Sequence, residues 1–230
     1  MSAHDDIRIG GITPFTTVDW PGQLAAVAWL AGCPWRCPYC HNHGLWTEAA
    51  AQYDLADLLR FLEGRRGLLD GVVFSGGEPL AQPGLGHAMG QVRELGFEVA
   101  LHTAGAYPER LRQVLPELSW VGFDVKAPWD RYDDITHAPD SAVAARTSLQ
   151  MVLDAGLPME ARTTWHPSLL TPDDLTAIAL QLAELGVPAW RVQAYRSEGS
   201  TGQLPDETVY PHDVPAQAQA AIADYAFRRA

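Results

Sequence analysis

The chain has 230 residues, and 47% of them are hydrophobic, which is enough to bury the core of one barrel-sized domain. The formal net charge of −12 argues against a surface for nucleic acid. The N-terminal stretch lacks the basic and apolar segments of a secretion signal, and the longest apolar run, 24–32, is far shorter than the roughly 20 residues that a membrane span needs. We therefore expect a cytoplasmic protein without membrane contact, formed by a single domain over residues 1–230 with its core at about 20–200.

Short apolar, β-branched or aromatic runs alternate with longer stretches of helical period. The strand-like runs are 24–30, 71–75, 97–103, 119–125, 158–164 and 189–195. The helix-like stretches are 53–63, 83–95, 107–116, 141–155, 172–185 and a C-terminal helix at about 215–227. Helix ends carry chemical signals as well: Thr171 precedes a first-turn proline and two acidic residues, and Gly186 follows the last residue of that helical pattern.

Six strand-then-helix units predict an α/β fold with a parallel sheet covered by helices. Periodicity alone leaves two architectures open, a doubly wound sheet and a full or partial barrel. The unusual residues all lie just past strand ends, in the segments 33–40, 76–79, 102–105, 124–126, 165–167 and 193–196. Because the top of a β/α barrel collects residues from many carboxyl ends of strands, this distribution favours a partial (β/α)6 barrel.

All the cysteines of the chain lie in one short segment, as Cys33, Cys37 and Cys40. Three thiols so close together in a reducing compartment are more plausible as metal ligands than as disulfides. One interpretation is a structural zinc site completed by His41 or His43. The other is a [4Fe–4S] cluster, which normally takes four cysteines and would here leave one iron for a non-protein ligand.

The cysteine spacing C-x3-C-x2-C, with Tyr39 before the third cysteine, resembles the hallmark of the radical S-adenosylmethionine (SAM) superfamily. The segment Gly76-Gly77-Glu78-Pro79 at the end of the second strand resembles that family's GGEP element. The resemblance implies one three-cysteine [4Fe–4S] cluster whose open iron is chelated by the methionine part of SAM. Two glycines at a strand end also let the backbone approach a ligand closely.

Within the superfamily, the chain is most similar to glycyl-radical-enzyme activating proteins, particularly the type that activates anaerobic ribonucleoside-triphosphate reductase. The matching stretches lie at 18–22, 32–42, 70–73, 123–128 and 162–167, with the strand end at Gln193. One stretch departs from the family pattern: relatives usually read Asp-Thr-Asn-Gly where this chain has His102-Thr103-Ala104-Gly105. That difference puts in doubt any cation or SAM-carboxylate contact at this place.

The resemblance also assigns candidate roles to particular residues. The three cysteines are the cluster ligands, and Tyr39 is expected near the adenine of SAM. Asp124 and Lys126 are expected on its carboxylate and ribose side. The remaining candidate cofactor contacts are Gly76, Gly77, Glu78, Thr103 and His166, with Glu78 alternatively holding its loop through main-chain N–H groups.

The activity that the resemblance implies is reductive cleavage of SAM, followed by hydrogen abstraction from a glycine of a partner enzyme. The implied partners are a glycyl radical enzyme, with the anaerobic ribonucleotide reductase as the first candidate, and a flavodoxin- or ferredoxin-like electron donor. Two alternatives stay open: a small-molecule radical SAM enzyme of the 7-carboxy-7-deazaguanine synthase type, and a non-catalytic binding module stabilised by zinc.

Overall fold

The computed structural model describes residues 6–205 and 207–229. Eight strands form one sheet in chain order: β1 (Ile9–Thr16), β2 (Ala25–Leu30), β3 (Gly71–Gly76), β4 (Glu98–Thr103), β5 (Trp120–Asp124), β6 (Met159–Trp165), β7 (Ala189–Ala194) and β8 (Asp224–Arg228). Seven helices accompany them: α1 (Leu55–Glu63), α2 (Leu85–Glu94), α3 (Pro108–Val114), α4 (Tyr132–Thr136), α5 (Ser141–Asp154), α6 (Pro172–Glu184) and α7 (Ala216–Ala221).

The sheet is parallel from β2 to β8, and only β1 runs antiparallel to its neighbour. Among the residues described, no pairing joins β8 back to β1, so the sheet is an open, partial barrel with two edge strands. This confirms the predicted fold class and the six predicted strands. All the carboxyl ends from β2 to β8 point to one rim, where the candidate residues of the sequence lie.

Side-chain hydrogen bonds at the helix starts explain several of the boundaries. Asp54 and Asp57 form a reciprocal capping box at the start of α1, and Thr171 and Asp174 form one at the start of α6. Consecutive helices pack side by side over the sheet, as α2 does against α1 and α3. In the part of the chain described, none of the helices has the length and apolar character required to cross a bilayer.

The two faces of the sheet differ in composition. Apolar side chains at alternate positions, such as Val72, Phe74 and Phe123, belong to the large core shared with the helices. On the opposite face, a small separate cluster includes Val27 and Val73, capped by Trp20 and Trp120, whose rings are stacked at 6.4 Å. That face becomes charged further along the sheet, with Glu160 and Arg162 on β6, Arg191 on β7 and Arg228 on β8.

The sequence prediction was wrong at both edges of the sheet. Strand β1 was not predicted because Gly10, Gly11 and Pro14 interrupt its pattern; the structure accommodates them with two register shifts in an edge strand. The predicted helix at 215–227 ends at Ala221, and 224–228 form β8. Pairing with β7, where the ring of Tyr225 lies 5.7 Å from that of Trp190, overrides the helix propensity of this alanine-rich segment.

Candidate active site

A cavity opens at the rim formed by the carboxyl ends of the strands. It has about 280 Å³ of space open to water, and the segments after β2, β3, β4, β5 and β7 contribute to its wall. Of the predicted site residues, ten line it: Cys33, Cys37, Tyr39, Cys40, Gly76, Gly77, Glu78, Thr103, Asp124 and Lys126. The structure thus brings together side chains that lie more than 90 positions apart in the sequence.

Main-chain hydrogen bonds hold the cysteine loop in place. The amide of Cys33 donates to the carbonyl of Trp46 at 3.2 Å, and the amide of Arg36 donates to that of Thr136 at 2.9 Å. The side-chain amide of Asn42 donates to the carbonyl of Gly76 at 2.8 Å, which ties the loop to the end of β3. The loop is therefore positioned by contacts within this chain.

Cys37 is buried, whereas Cys33 and Cys40 are partly exposed. Burial raises the pKa of Cys33 to about 12 and that of Cys37 to about 11, so both carry their protons at neutral pH. Binding of iron or zinc would have to displace these protons, because the thiolate is the ligand. Soft thiolates suit an iron–sulfur cluster, and three of them on the wall of one cavity fit a cluster that keeps one iron open.

The two glycines at the end of β3 are required by the close approach of the chain to itself. Gly76 has a φ of +116°, and an added Cβ would lie 2.3 Å from the amide nitrogen of Leu30. A Cβ on Gly77 would lie 2.3 Å from the carbonyl oxygen of Gly32. Larger residues would force β3 away from the cysteine loop, so the glycines keep both segments in contact beside the cavity.

The carboxylate of Glu78 is fully satisfied within the protein. It accepts hydrogen bonds from the Thr103 hydroxyl at 2.7 Å, the amide of Ala104 at 3.0 Å and the amide of Leu80 at 3.1 Å. Burial nevertheless raises its pKa above the ordinary value, against the lowering effect of these donors. Glu78 therefore joins the ends of β3 and β4, as the alternative interpretation predicted.

Three charged side chains form a network on the other side of the cavity. Asp124 accepts from Lys126 at 3.0 Å and from Arg162 at 3.1 Å. Burial raises the pKa of Asp124, but the two cations outweigh it and hold the pKa at about 2. Burial alone would lower the pKa of Lys126, yet Asp124 raises it well above the ordinary value. Two cations on one carboxylate leave a net positive charge, which suits an anionic group such as the carboxylate of an amino acid.

Tyr39 links the cysteine loop to this network. Its ring is buried, and the ammonium of Lys126 lies 5.7 Å from the ring centre. Its hydroxyl is buried and has no hydrogen-bond partner among the residues described. Since an unsatisfied buried hydroxyl costs stability, this atom on a cavity-lining residue is well suited to a ligand in the cavity.

His102, where the chain departs from the family pattern, bonds to the protein itself. Its Nε2 donates to the carbonyl of Asp19 at 2.7 Å, and its Nδ1 accepts from Arg162 at 3.3 Å. Burial, and then the nearby guanidinium, lower its pKa to about 3, so the ring is neutral at pH 7. Gly122 makes this arrangement possible, because a Cβ there would lie 2.6 Å from the Arg162 side chain.

His166 does not line the cavity. The ring is completely buried, its Nε2 donates to the carbonyl of Pro205 at 3.0 Å, and its Nδ1 accepts from the amide of Ser168 at 3.1 Å. Both nitrogens are therefore occupied by the protein, and the cofactor contact predicted for His166 has no support in this position.

The zinc interpretation also lacks support in the geometry. His41 donates from Nε2 to the carbonyl of Arg196 at 2.7 Å and stacks on Tyr195, and His43 packs against Trp46. The two imidazoles proposed as fourth ligand are thus engaged elsewhere.

Arg162, Asn42 and Asp19 were not predicted as site residues, although they line the cavity. For Arg162 a signal was present: β6 reads Met-Glu-Ala-Arg, with charged residues at every second position of a strand whose other face is apolar. In a sheet covered by helices on one side, such charges must lie on the opposite face. Asn42 and Asp19 carry no comparable signal, because their hydrogen bonds depend on segments distant in sequence.

Comparison with known proteins decides the family. The model of the radical SAM superfamily matches residues 28–173, which is more than half of the chain. The protein belongs to the radical SAM superfamily. This membership agrees with the three-cysteine loop, with the open α/β sheet and with the residues that line the cavity.

Curated relatives refine the comparison. A Methanocaldococcus jannaschii protein named as a glycyl-radical enzyme activating enzyme is 27% identical over 178 residues, covering 74% of this chain and 73% of that protein. A pyruvate formate-lyase-activating enzyme of Clostridium pasteurianum is 36% identical over 125 residues, covering 52% of each chain. These names confirm the resemblance to activating enzymes. A 7-carboxy-7-deazaguanine synthase of Hyperthermus butylicus is 33% identical over 124 residues, 53% of this chain and 48% of its own length.

Solved structures show the same fold. Streptococcus suis SuiB bound to S-adenosylmethionine superposes with a TM-score of 0.65 at 12% identity. The match covers 86% of this chain and 48% of SuiB. The chain also spans about half the length of the Clostridium pasteurianum and Hyperthermus butylicus proteins. At this identity, the likeness establishes the fold alone.

Proposed function

We propose that the protein is a radical SAM activase that generates a glycyl radical on a partner enzyme, anaerobic ribonucleoside-triphosphate reductase. One observation carries the proposal: three thiols and a cationic Asp124–Lys126–Arg162 network line the same cavity. The first set suits an iron–sulfur cluster and the second suits the carboxylate of an amino acid. We propose further that the 230 residues act as one domain in the cytoplasm, with a flavodoxin- or ferredoxin-like electron donor.

When bound, a [4Fe–4S] cluster supplies the electron that splits SAM into methionine and a 5′-deoxyadenosyl radical. The chain's own residues bind and orient. Cys33, Cys37 and Cys40 would hold the cluster, and the cations around Asp124 would hold the SAM carboxylate. Tyr39 offers a ring face and a free hydroxyl to the remainder of the molecule.

The walls of the site also exclude water. Trp35 is buried and packs edge-on against Tyr132 at 6.0 Å, and this closes the cysteine loop on the side of α4. Shielding matters because the potential of an iron–sulfur cluster depends on its exposure to solvent. The open edge of the sheet, between β1 and β8, leaves room for a loop of a large partner to approach.

The proposal can be tested with anaerobically reconstituted protein. We expect about four irons per chain and formation of 5′-deoxyadenosine when SAM and a reductant are added. Adding purified anaerobic ribonucleotide reductase should then produce a glycyl-radical doublet in electron paramagnetic resonance. The doublet should be absent when the radical-bearing glycine of the partner is replaced by alanine.

A second candidate is a small-molecule enzyme of the 7-carboxy-7-deazaguanine synthase type, which the similarity to the Hyperthermus butylicus protein favours. The same preparation discriminates between the two. Formation of 5′-deoxyadenosine without a doublet on the ribonucleotide reductase, together with formation of 7-carboxy-7-deazaguanine, would establish the second candidate instead.

A further inference from the structure

A second cavity adjoins the candidate active site and is rich in arginine, although the chain has a net charge of −12. It has about 720 Å³ of space, and its wall includes Arg162, Arg196, Arg228 and Arg229. We call it the arginine cleft. Arg162 and Arg196 also line the first cavity, so a molecule in the cleft lies directly beside the place where the chemistry is proposed.

The arginine cleft lies at the open seam of the partial barrel. Val18 and Pro21, in the segment after β1, form one part of its wall, and Arg228 and Arg229, at the end of β8, form another. Since β1 and β8 are the two edges of the sheet, the cleft occupies the gap that a closed barrel would not have. It is thus a lateral route from solvent to the first cavity.

The arginines of the cleft differ in how their charges are balanced. The buried carboxylate of Glu160 binds Arg228 through two parallel hydrogen bonds of 2.7 and 2.8 Å, and Arg162 pairs with Asp124. Arg196 and Arg229 form no ion pair with any residue in the described stretches, and both are exposed. Asp19 also lines the cleft, but its carboxylate accepts from the Thr16 hydroxyl at 2.6 Å. The cleft therefore presents two guanidinium groups, those of Arg196 and Arg229, without an ion-pair partner among the residues described.

We infer that the arginine cleft binds a carboxylate carried by the glycine-bearing segment of the substrate protein, an inference that rests on the proposed function. A guanidinium group binds a carboxylate through two parallel N–H···O bonds, and the acidic remainder of the surface repels such a segment elsewhere. Val18, 75% exposed on the opposite wall, offers an apolar contact beside it. The carboxylate is either an Asp or Glu side chain near the glycine or the C-terminus of the chain.

Synthetic peptides test the inference directly. Three decapeptides with a central glycine and otherwise uncharged residues are compared. The first has Asp two positions from the glycine and both ends blocked. The second, neutral peptide has Asn in place of the Asp, and the third differs from the second only in its free C-terminal carboxylate. Binding to the cluster-reconstituted, SAM-loaded protein is measured by anaerobic calorimetry, and at least one acidic peptide should bind about tenfold more tightly than the neutral one.

Charge-matched variants locate the effect. The double variant Arg196→Gln/Arg229→Gln should abolish the preference for the carboxylate. Arg66→Gln/Arg146→Gln removes two exposed arginines that do not line the cleft, and should retain the preference at the same net charge. Any of three results overturns the inference. The first is equal binding of acidic and neutral peptides by the wild-type protein, and the second is no binding of either acidic peptide up to millimolar concentration. The third is a loss of the preference for the carboxylate to the same extent in both double variants.

Failure of the proposed function would look different. That function is tested by 5′-deoxyadenosine and the glycyl-radical doublet in the wild-type protein, whereas the cleft is tested by peptide binding alone. A carboxylate preference without a doublet would support carboxylate binding in the cleft and contradict the activase function. A doublet without a carboxylate preference would support the activase function and contradict carboxylate binding in the cleft.

Discussion

The two sides of the candidate active site are held by different kinds of interaction. On the side of β2, β3 and β4, main-chain hydrogen bonds fix the cysteine loop, Gly76 and Gly77 permit close contact, and Glu78 is satisfied by neutral donors. On the side of β5 to β8, the contacts are ion pairs. Asp124 pairs with Lys126 and Arg162, and Glu160 pairs with Arg191 and Arg228.

This difference corresponds to what each side has to hold. The first side depends on shape, since the thiols of Cys33 and Cys37 are neutral and its backbone segments touch. The second side depends on charge, since its cations stay protonated and exceed the nearby carboxylates. We expect substitutions that change shape to act on the first side and substitutions that change charge to act on the second.

The largest effect is expected from the cysteines of the first side. Serine at Cys33, Cys37 or Cys40 should abolish cluster assembly and SAM cleavage, because a cluster held by two thiolates loses a further iron ligand. Iron content and 5′-deoxyadenosine formation measure this. Thr47→Ser, at an exposed position after the same loop, is the control and should retain both. A four-iron spectrum in any of the serine variants would contradict the assignment.

On the second side, Glu160→Gln should destabilise the protein by about 3 kcal/mol, since it leaves the half-buried Arg228 without a carboxylate and Arg191 with only the exposed Asp224. Glu160 is only 3% exposed and binds both Arg191 and Arg228. The matched control is Asp224→Asn, which removes an exposed partner of the same Arg191 and should cost less than about 1 kcal/mol. Urea unfolding measures both, and equal losses would show that the buried pairing does not hold β8.

The shape of the first side is tested by Gly76→Ala. Its positive φ costs about 1–2 kcal/mol for alanine, and the contact with Leu30 adds about 1–3 kcal/mol. Gly156→Ala carries the strain without the contact, because φ is +65° and nothing lies within 4 Å of the added Cβ. The difference between the two free energies of unfolding reports the close approach to Leu30 together with the additional strain of a φ of +116° over one of +65°. Equal values would mean that β3 can move away from the end of β2 without cost.

The smallest effect concerns His102, which joins the two sides. Its pKa falls from 6.5 to about 3 on folding, so between these values the unfolded chain binds a proton that the folded chain does not. Stability therefore rises with pH across this window, by at most about 1.4 kcal/mol per pH unit from this group. His102→Gln should reduce the slope of the unfolding free energy between about pH 4 and 6. Urea unfolding of the two proteins across this pH range measures both slopes, and equal slopes would contradict the prediction.

The parts of the fold that the sequence predicted are those with strong local patterns. β3 and β5 are short apolar runs, and α6 has both a capping box and a stop glycine in the sequence. At the edges of the sheet local patterns fail. β1 contains glycine and proline, and β8 follows an alanine-rich segment of high helix propensity, so only pairing with a neighbouring strand determines their conformation.

The candidate site divides in the same way. The cysteines and Gly76-Gly77 form compact motifs that the sequence alone reveals. Arg162 lies 38 residues from the carboxylate that it binds, and His102 lies 83 residues from the carbonyl that accepts its hydrogen bond. Neither pairing leaves a trace in the spacing of residues. His166, a candidate from the family resemblance, follows the end of β6 but is completely buried and bonded to the protein.

The sequence by itself determined the six strands from β2 to β7, the longer helices between them and the three-thiol loop, because periodicity and motif spacing are properties of neighbouring residues. The tertiary structure decided which charges meet, which glycines the backbone needs and where the sheet stays open. These features depend on distances between segments far apart in the chain. Burial also shifted the pKa values of Cys33, Glu78 and His102, and burial exists only in the folded protein.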